Sequence, residues 1–167
     1  MLQFANIWEV TPETAHPRAR QLLAESVVWD YSDEDSPLGN DIGADTFAGY
    51  LAFRTAQPAT AVQRFVHDEL ASFDIADTDW DLLDPGCLQA ALDTDSGFSV
   101  LRRDDFIIGL AFAQLLLEGA VDAEVKRRAL LALRRQATDV VLSFRRGGGE
   151  DARKSQLAGF ERVLETV

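Results

Sequence analysis

Residues 106–119 read Phe-Ile-Ile-Gly-Leu-Ala-Phe-Ala-Gln-Leu-Leu-Leu-Glu-Gly, and this stretch decides the fold. Its side chains are apolar at nearly every position, so a helix formed here is apolar all round rather than on one face. Such a helix is stable only when other helices cover it. Asp104 or Asp105 supplies an N-cap, and Gly119 supplies a C-terminal stop. We therefore predict a buried central helix over about residues 105–118.

The sequence on both sides of this stretch has the apolar periodicity of amphipathic helices. Downstream, Asp122 opens a predicted helix that continues to about Phe144, and a last helix covers about residues 151–165. Upstream, four helices are predicted, from Pro17 to about Val27, from Asp41 to about Ala56, from about Thr60 to Phe73 and from Gly86 to Leu92.

This pattern predicts an all-α fold, a bundle of five to seven helices around the buried central helix, in a single domain spanning residues 1–167. Residues 2–10 are compatible with a short N-terminal strand, although no second strand is evident to pair with it. The triplet Gly147–Gly149 favours a flexible break before the last helix. No apolar run is long enough to cross a membrane, so we expect no membrane partner.

The charge of the chain is strongly negative and unevenly distributed. Its 28 acidic and 16 basic side chains give a net charge of -12. Residues 1–100 hold 18 acidic and 4 basic side chains, a net charge of -14, whereas residues 101–167 hold 10 acidic and 12 basic ones, a net charge of +2. An acidic surface repels nucleic acid and attracts basic proteins. We therefore expect a basic protein partner and no nucleic acid; the simpler interpretation is that the charge keeps the protein soluble.

The chain offers few groups for catalysis. Cys87 is the single cysteine, which excludes an intrachain disulfide, and His16 and His67 are the two histidines. Neither histidine lies in a motif that would activate a nucleophile, and no phosphate-binding glycine loop occurs. The first residues lack the pattern of a secretion signal, so we expect a cytoplasmic location. The sequence predicts no cofactor, no metal and no catalytic residue.

Two aspartate-rich segments have partial matches to known metal and phosphate chemistry. Asp77-Thr-Asp79-Trp-Asp81 has the first three oxygen ligands of a calcium loop, but Leu82 and Leu88 replace the glycine and the glutamate that the loop needs. Asp93-Thr-Asp95 has the spacing of paired catalytic aspartates, without the buried strand that should precede them. We favour a solvated acidic loop. The alternative function is a small metal-dependent hydrolase that uses these loops to hold Mg²⁺ through water.

One predicted helix carries a basic stripe. Arg127 and Arg134, like Arg128 and Arg135, are seven residues apart and therefore share a helix face. Nucleic-acid binding uses such a stripe, but in a basic domain. We favour a solvated face or arginines that pair with the chain's own acidic half, and the sequence does not decide between these two.

A family resemblance is carried by residues 35–45, Asp-Ser-Pro-Leu-Gly-Asn-Asp-Ile-Gly-Ala-Asp, followed by Tyr50 and Phe53-Arg54. With His16-Pro17 and the stretch from Asp104 to Gly119, they resemble the YfeS-like family of small bacterial proteins. The motif is a serine-proline turn with a Gly-Asn-Asp-x-Gly-x-Asp loop, before a helix that ends in an aromatic-arginine pair. The resemblance implies a shared fold and brings no established activity.

The loop has two interpretations. In the first it is structural, because Pro37 and Gly39 suit a turn and Asn40 or Asp41 can cap the next helix. In the second it belongs to an acidic recognition site, with flanking tryptophans either as interface anchors or as closures of the core. The predicted docking residues are Asp33, Glu34, Asp35, Asp41 and Asp45, extended by Asp77, Asp79, Asp81 and Trp80.

With no credible catalytic set, the sequence predicts a non-enzymatic, acidic protein-binding module. Its most concrete form is an immunity- or antitoxin-like protein that blocks a basic partner.

Overall fold

A computed structural model describes residue 4 and residues 6–24, 26–145 and 150–167, with the backbone only at positions 95 and 96. These residues contain eight α-helices, two 3₁₀ turns and no strand, which confirms the all-α prediction with one helix more than expected. The α-helices are α1 (Pro17–Leu22), α2 (Asp41–Ala56), α3 (Val62–Ser72), α4 (Pro85–Leu92), α5 (Asp95–Glu118), α6 (Ala123–Gln136), α7 (Asp139–Arg145) and α8 (Glu150–Thr166).

The N-terminal segment differs from its prediction. The residues Ile7–Glu9 form a 3₁₀ turn rather than a strand, and the Asn6 side chain caps it by accepting the N–H of Trp8 at 3.0 Å. Val27, expected at the end of α1, opens a second 3₁₀ turn, Val27–Trp29. Residues 2, 3 and 5 of the predicted strand, and the predicted break at Gly147–Gly149, lie outside the described residues.

The central helix is α5, as predicted. Every residue from Phe106 to Leu117 is buried, and α2 and α6 make its most extensive contacts. The helix begins at Asp95, well before the predicted cap at Asp104 or Asp105, because Asp104 is buried inside the helix and paired there. None of the described helices is both long and apolar enough to cross a membrane.

The predicted helix from Asp122 to Phe144 is two helices, α6 and α7. Thr138 lies between them, where its hydroxyl donates to the carbonyl of Arg135 at 2.7 Å and accepts the N–H of Val141 at 3.4 Å. The apolar stripe runs through this break, so periodicity does not reveal it. The helix α7 packs beside α4 in a small cluster of Leu92, Leu101 and Val141, separate from the main core.

Glycines bring the loop before α2 into close contact with α5. Asn40 is the N-cap of α2, and its Oδ1 accepts the N–H of Gly43 at 2.8 Å. A Cβ on Gly43 would lie 2.1 Å from the carbonyl oxygen of Pro37, and one on Gly109 would lie 3.1 Å from the Cα of Gly43. The backbones of α2 and α5 therefore touch, and this contact fixes the position of the loop that carries Asp33 and Asp35.

Candidate functional site

An open groove of about 920 Å³ runs along α8. Its opposite wall consists of the end of α1, the second 3₁₀ turn and loop 33–35. The walls meet where Arg18 Nη2 donates to the carbonyl of Val167 at 3.0 Å. Between the walls, the apolar lining includes Leu22, Val27 and Val163. The groove thus combines these apolar side chains with polar and charged ones, among them Asp35, Gln156 and Arg162.

Asp33 and Asp35 form the acidic end of the groove. The side chain of Asp35 is 57% exposed, and its Oδ1 lies 3.5 Å from Nη1 of Arg153 on α8. That same Nη1 donates to the carbonyl oxygen of Asp35 at 2.5 Å. Asp33 holds the loop by accepting the N–H of Asp35 at 2.9 Å. Burial lowers the pKa of Arg153, an effect opposed mainly by the Asp35 carboxylate.

The structure divides the rest of the first predicted group. Glu34 is exposed between the two groove aspartates. Asp41 and Asp45 are exposed on the first turns of α2 and do not line the groove. Asp45 faces α3, where burial and then the charges of Asp68 and Asp45 raise the pKa of Glu69. The predicted face is therefore brought together at residues 33–35, while Asp45 belongs to a neighbouring acidic surface.

The second predicted group lies in a loop that the fold holds firmly. Trp80 is 6% exposed, and the guanidinium carbons of Arg103 and Arg128 each lie 4.6 Å from its ring centre. Asp77 accepts hydrogen bonds from Trp80 Nε1 at 2.6 Å and from Arg128 Nη1 at 2.7 Å. Trp80 thus closes the core beneath the loop. Docking at the exposed Asp79 and Asp81 stays a prediction.

Backbone carbonyls complete the anchoring of this loop. Arg103 donates to the carbonyls of Thr78 and Asp79. Arg135 donates to those of Trp80 and Leu82, the latter at 2.6 Å. Two buried cations therefore fix the path of residues 78–82.

Arg135 also forms a buried ion pair with Asp104. Its Nε and Nη2 lie 2.9 and 3.0 Å from the two carboxylate oxygens, and both side chains are fully buried. Burial raises the pKa of Asp104 to about 6, and the hydrogen bonds from Arg135 oppose that rise. The pair is closed to solvent, so it builds the fold rather than a site.

The basic stripe is paired within the chain. Arg127 and Arg128 both bind Glu124 of their own helix, and these bonds lower the pKa of Glu124 to about 2. Arg134 reaches Glu161 on α8 at 2.6 Å. Of the four arginines of the stripe, Arg128 also pairs with the acidic first half of the chain, through Asp77. The other three pair with acidic residues of the second half. The expected pairing with the acidic half is therefore found for Arg128 alone of these four, whereas Arg127 and Arg134 are about half exposed.

The motif residues of the family resemblance converge on the carboxyl end of α5. The Tyr50 hydroxyl donates to Glu118 at 2.6 Å and accepts from Arg54 Nε at 2.7 Å and Gln114 Nε2 at 3.1 Å. Burial raises the pKa of Tyr50, so the phenol stays protonated and structural. At the same end, a Cβ on Gly119 would lie 1.9 Å from His16 Nδ1. These residues connect α2 and the chain start to the central helix.

Among the described residues, no three His, Cys, Asp or Glu side chains lie close enough to hold a metal ion. Cys87 is exposed, and its contact with Asp84 raises the thiol pKa, which disfavours the reactive thiolate. No protein-family model, curated protein or solved structure matches the chain. The YfeS-like resemblance stays a prediction carried by the residues quoted above.

Sequence reasoning identified Asp33 and Asp35 but missed the opposite wall of their site. Arg153 is 118 positions from Asp35 along the chain, and sequence periodicity does not pair segments at such separation. The sequence of α8 does contain one indication that this helix forms a groove wall, because Ser155 and Gly159 are small residues one helical turn apart.

Proposed function

We propose that this chain is a non-enzymatic protein-binding module whose basic partner docks at the acidic end of the α8 groove. The observation that carries the proposal is the position of Asp33 and Asp35. Both carboxylates line an open groove whose other lining residues include the apolar side chains of Leu22, Val27 and Val163. Protein interfaces combine apolar contacts with polar and charged groups.

The two acidic loops differ in how much charge they leave for a partner. Asp77 accepts hydrogen bonds from the Trp80 indole and from Arg128, so its negative charge is already balanced within the chain. The Asp35 carboxylate has a longer contact with Arg153, at 3.5 Å, and stays more than half exposed. Glu34 is exposed beside it. Loop 33–35 is therefore the better docking element.

The overall charge supports a basic partner. With -14 on residues 1–100, the surface field steers cationic proteins towards the chain and raises their association rate. A tightly bound acidic protein also blocks access of anionic substrates to a basic enzyme. An immunity- or antitoxin-like role is the most concrete form of the proposal.

The test is affinity capture from the source cell with the wild-type chain and the D33S/E34S/D35S variant as baits. We expect the wild-type bait to enrich a basic protein and the variant to lose most of it. A control bait, E13S/D68S/D93S, removes three exposed carboxylates that do not line the groove, and should keep the partner. Capture of no basic protein, or equal capture by all three baits, would contradict the proposal.

A further inference from the structure

The groove-facing side of α8 is one continuous helix face. Ala152, Gln156, Gly159, Val163 and Thr166 line the groove, and they follow one another by three or four residues. At a rise of about 1.5 Å per residue this face is about 21 Å long, or roughly four helical turns. It therefore offers a straight surface for an element of similar length.

Gly159 lies in the middle of this face, and of the glycines in the described part of the chain it leaves the most room for a side chain. At Gly39, Gly43 and Gly119, a Cβ would come within 2.1 Å of the chain's own atoms. At Gly159 the nearest atom to such a Cβ is Nη2 of Arg162, at 3.9 Å. Glycine is unfavourable inside a helix, so its presence there calls for a close contact. The open groove provides room for that contact to come from outside the chain.

The flanks of α8 differ in surroundings. Arg153 and Arg162 are nine residues apart, which places them on opposite sides of the helix at about 100° per residue. Arg153 lies on the side of Asp35, whereas Arg162 is exposed on the other side. An occupant of the groove therefore meets the carboxylates of Asp33 and Asp35 at one end, beside Arg153, and the guanidinium of Arg162 on the opposite flank.

We infer that the groove takes an amphipathic α-helix of the partner, laid along α8 with its closest approach at Gly159. The helix carries an apolar stripe towards Val27 and Val163, and lysine or arginine towards Asp33 and Asp35. The described residues contain no strand, so an extended segment finds no sheet edge to pair with. A helix satisfies its own backbone hydrogen bonds and needs only side-chain contacts. This inference rests on the proposed function and adds the partner's secondary structure.

The test uses the intact chain and two synthetic peptides of about 14 residues, a length that matches the groove. The first peptide has leucines at helical spacing and three lysines in one end turn. The second has the same composition in an order that leaves no apolar stripe. We expect the first peptide to bind, with a rise in helical circular dichroism, and the second to bind at least about tenfold more weakly.

Two variants locate the binding. G159L places leucine, a good helix former, at the proposed contact point, where a Cβ meets no atom closer than 3.9 Å. The variant should therefore fold, and it should bind the first peptide at least about tenfold more weakly than the wild type. The matched control A90L adds the same side chain to an exposed position of α4 and should leave binding unchanged. D33S/D35S should weaken binding and reduce its dependence on salt.

The outcomes separate this inference from the proposed function. If both peptides bind equally and D33S/D35S weakens both, the acidic docking site stands and the helix in the groove is wrong. If the first peptide binds G159L as well as it binds the wild type, the contact at Gly159 is wrong. Failure of both peptides to bind overturns the helix inference, whereas the capture experiment decides the proposed function.

Discussion

Gly43 and Gly159 both lie in helices, but the chain needs them for different reasons. A side chain at Gly43 would collide with the carbonyl of Pro37, so glycine there lets the loop before α2 fold back against the first turn of that helix. A side chain at Gly159 would project into the open groove. The first glycine serves the fold, and we assign the second to binding.

Replacing each glycine by alanine should therefore change stability in opposite directions. G159A should raise the free energy of unfolding by about 0.5–1 kcal/mol, because alanine restricts the unfolded chain and favours the helix. G43A should lower it by about 1–3 kcal/mol, the usual cost of overpacking. Urea denaturation of both variants measures this. A loss of stability in G159A would show that the chain itself packs at that position.

Replacing Asp104 should destabilise the fold. D104N turns one of the two oxygens that accept from Arg135 into an N–H donor and leaves a buried guanidinium N–H without its acceptor, a loss of about 1–3 kcal/mol. The free energy of unfolding at neutral pH, compared between D104N and the wild type, measures this cost. A decrease below about 1 kcal/mol would mean that water reaches the pair.

The same pair predicts a pH dependence. Burial raises the pKa of Asp104 in the folded state to about 6, above its ordinary value of 3.8. Between these values the folded state holds the proton more tightly than the unfolded chain, so the contribution of Asp104 to stability falls as pH rises through this window. The stability advantage of the wild type over D104N should therefore be larger at pH 5 than at pH 7.5, by roughly 1 kcal/mol. An advantage that stays constant or shrinks towards pH 5 contradicts the raised pKa.

The two acidic loops should differ in how far the loss of their charges changes the free energy of unfolding. D77S removes the acceptor of the Trp80 indole and of Arg128, so it should lower the free energy of unfolding by about 1–2 kcal/mol. D33S/E34S/D35S should change it by less than about 1 kcal/mol, because the carboxylates of Glu34 and Asp35 are exposed and a serine hydroxyl at position 33 can still accept the N–H of residue 35. Thermal unfolding of the two variants tests this contrast. If the triple variant unfolds, loop 33–35 is structural and the docking site is wrong.

The helices were predictable where their apolar pattern decides their burial. The stretch from Phe106 to Glu118 is apolar all round, and it is the buried central helix. Its start was missed because a sequence pattern treats charged residues as exposed, whereas Arg103 and Asp104 are buried and bonded to groups distant in sequence. The break at Thr138 was missed because it depends on one hydroxyl rather than on the apolar period.

The candidate site was predictable only on one side. Aspartates in a turn-rich loop indicate exposure, so Asp33 and Asp35 were identified from sequence. Their contact with Arg153 depends on how α8 packs against the opposite end of the chain. For Trp80 the sequence left two roles open, interface anchor and closure of the core, because the choice depends on Arg103 and Arg128, whose guanidinium carbons each lie 4.6 Å from its ring centre.

Across the whole molecule, acidic and basic charges have different roles. Most described arginines of the second half stabilise the fold through ion pairs or hydrogen bonds; these are Arg103, Arg127, Arg128, Arg134, Arg135, Arg145 and Arg153. The first half has 18 acidic side chains and only 4 basic ones to neutralise them. The excess negative charge therefore remains available to attract a partner over a distance of about one Debye length.

The association rate of the captured basic partner, measured against salt concentration by stopped flow, tests the central claim most directly. Between about 0.01 M and 1 M salt the Debye length falls from about 30 Å to 3 Å, so electrostatic steering should disappear. We predict that the wild-type rate falls about tenfold or more and that D33S/E34S/D35S starts slower and falls less. A wild-type rate that is independent of salt, or an equal fall in the triple variant, would contradict the assignment of loop 33–35 as the docking site.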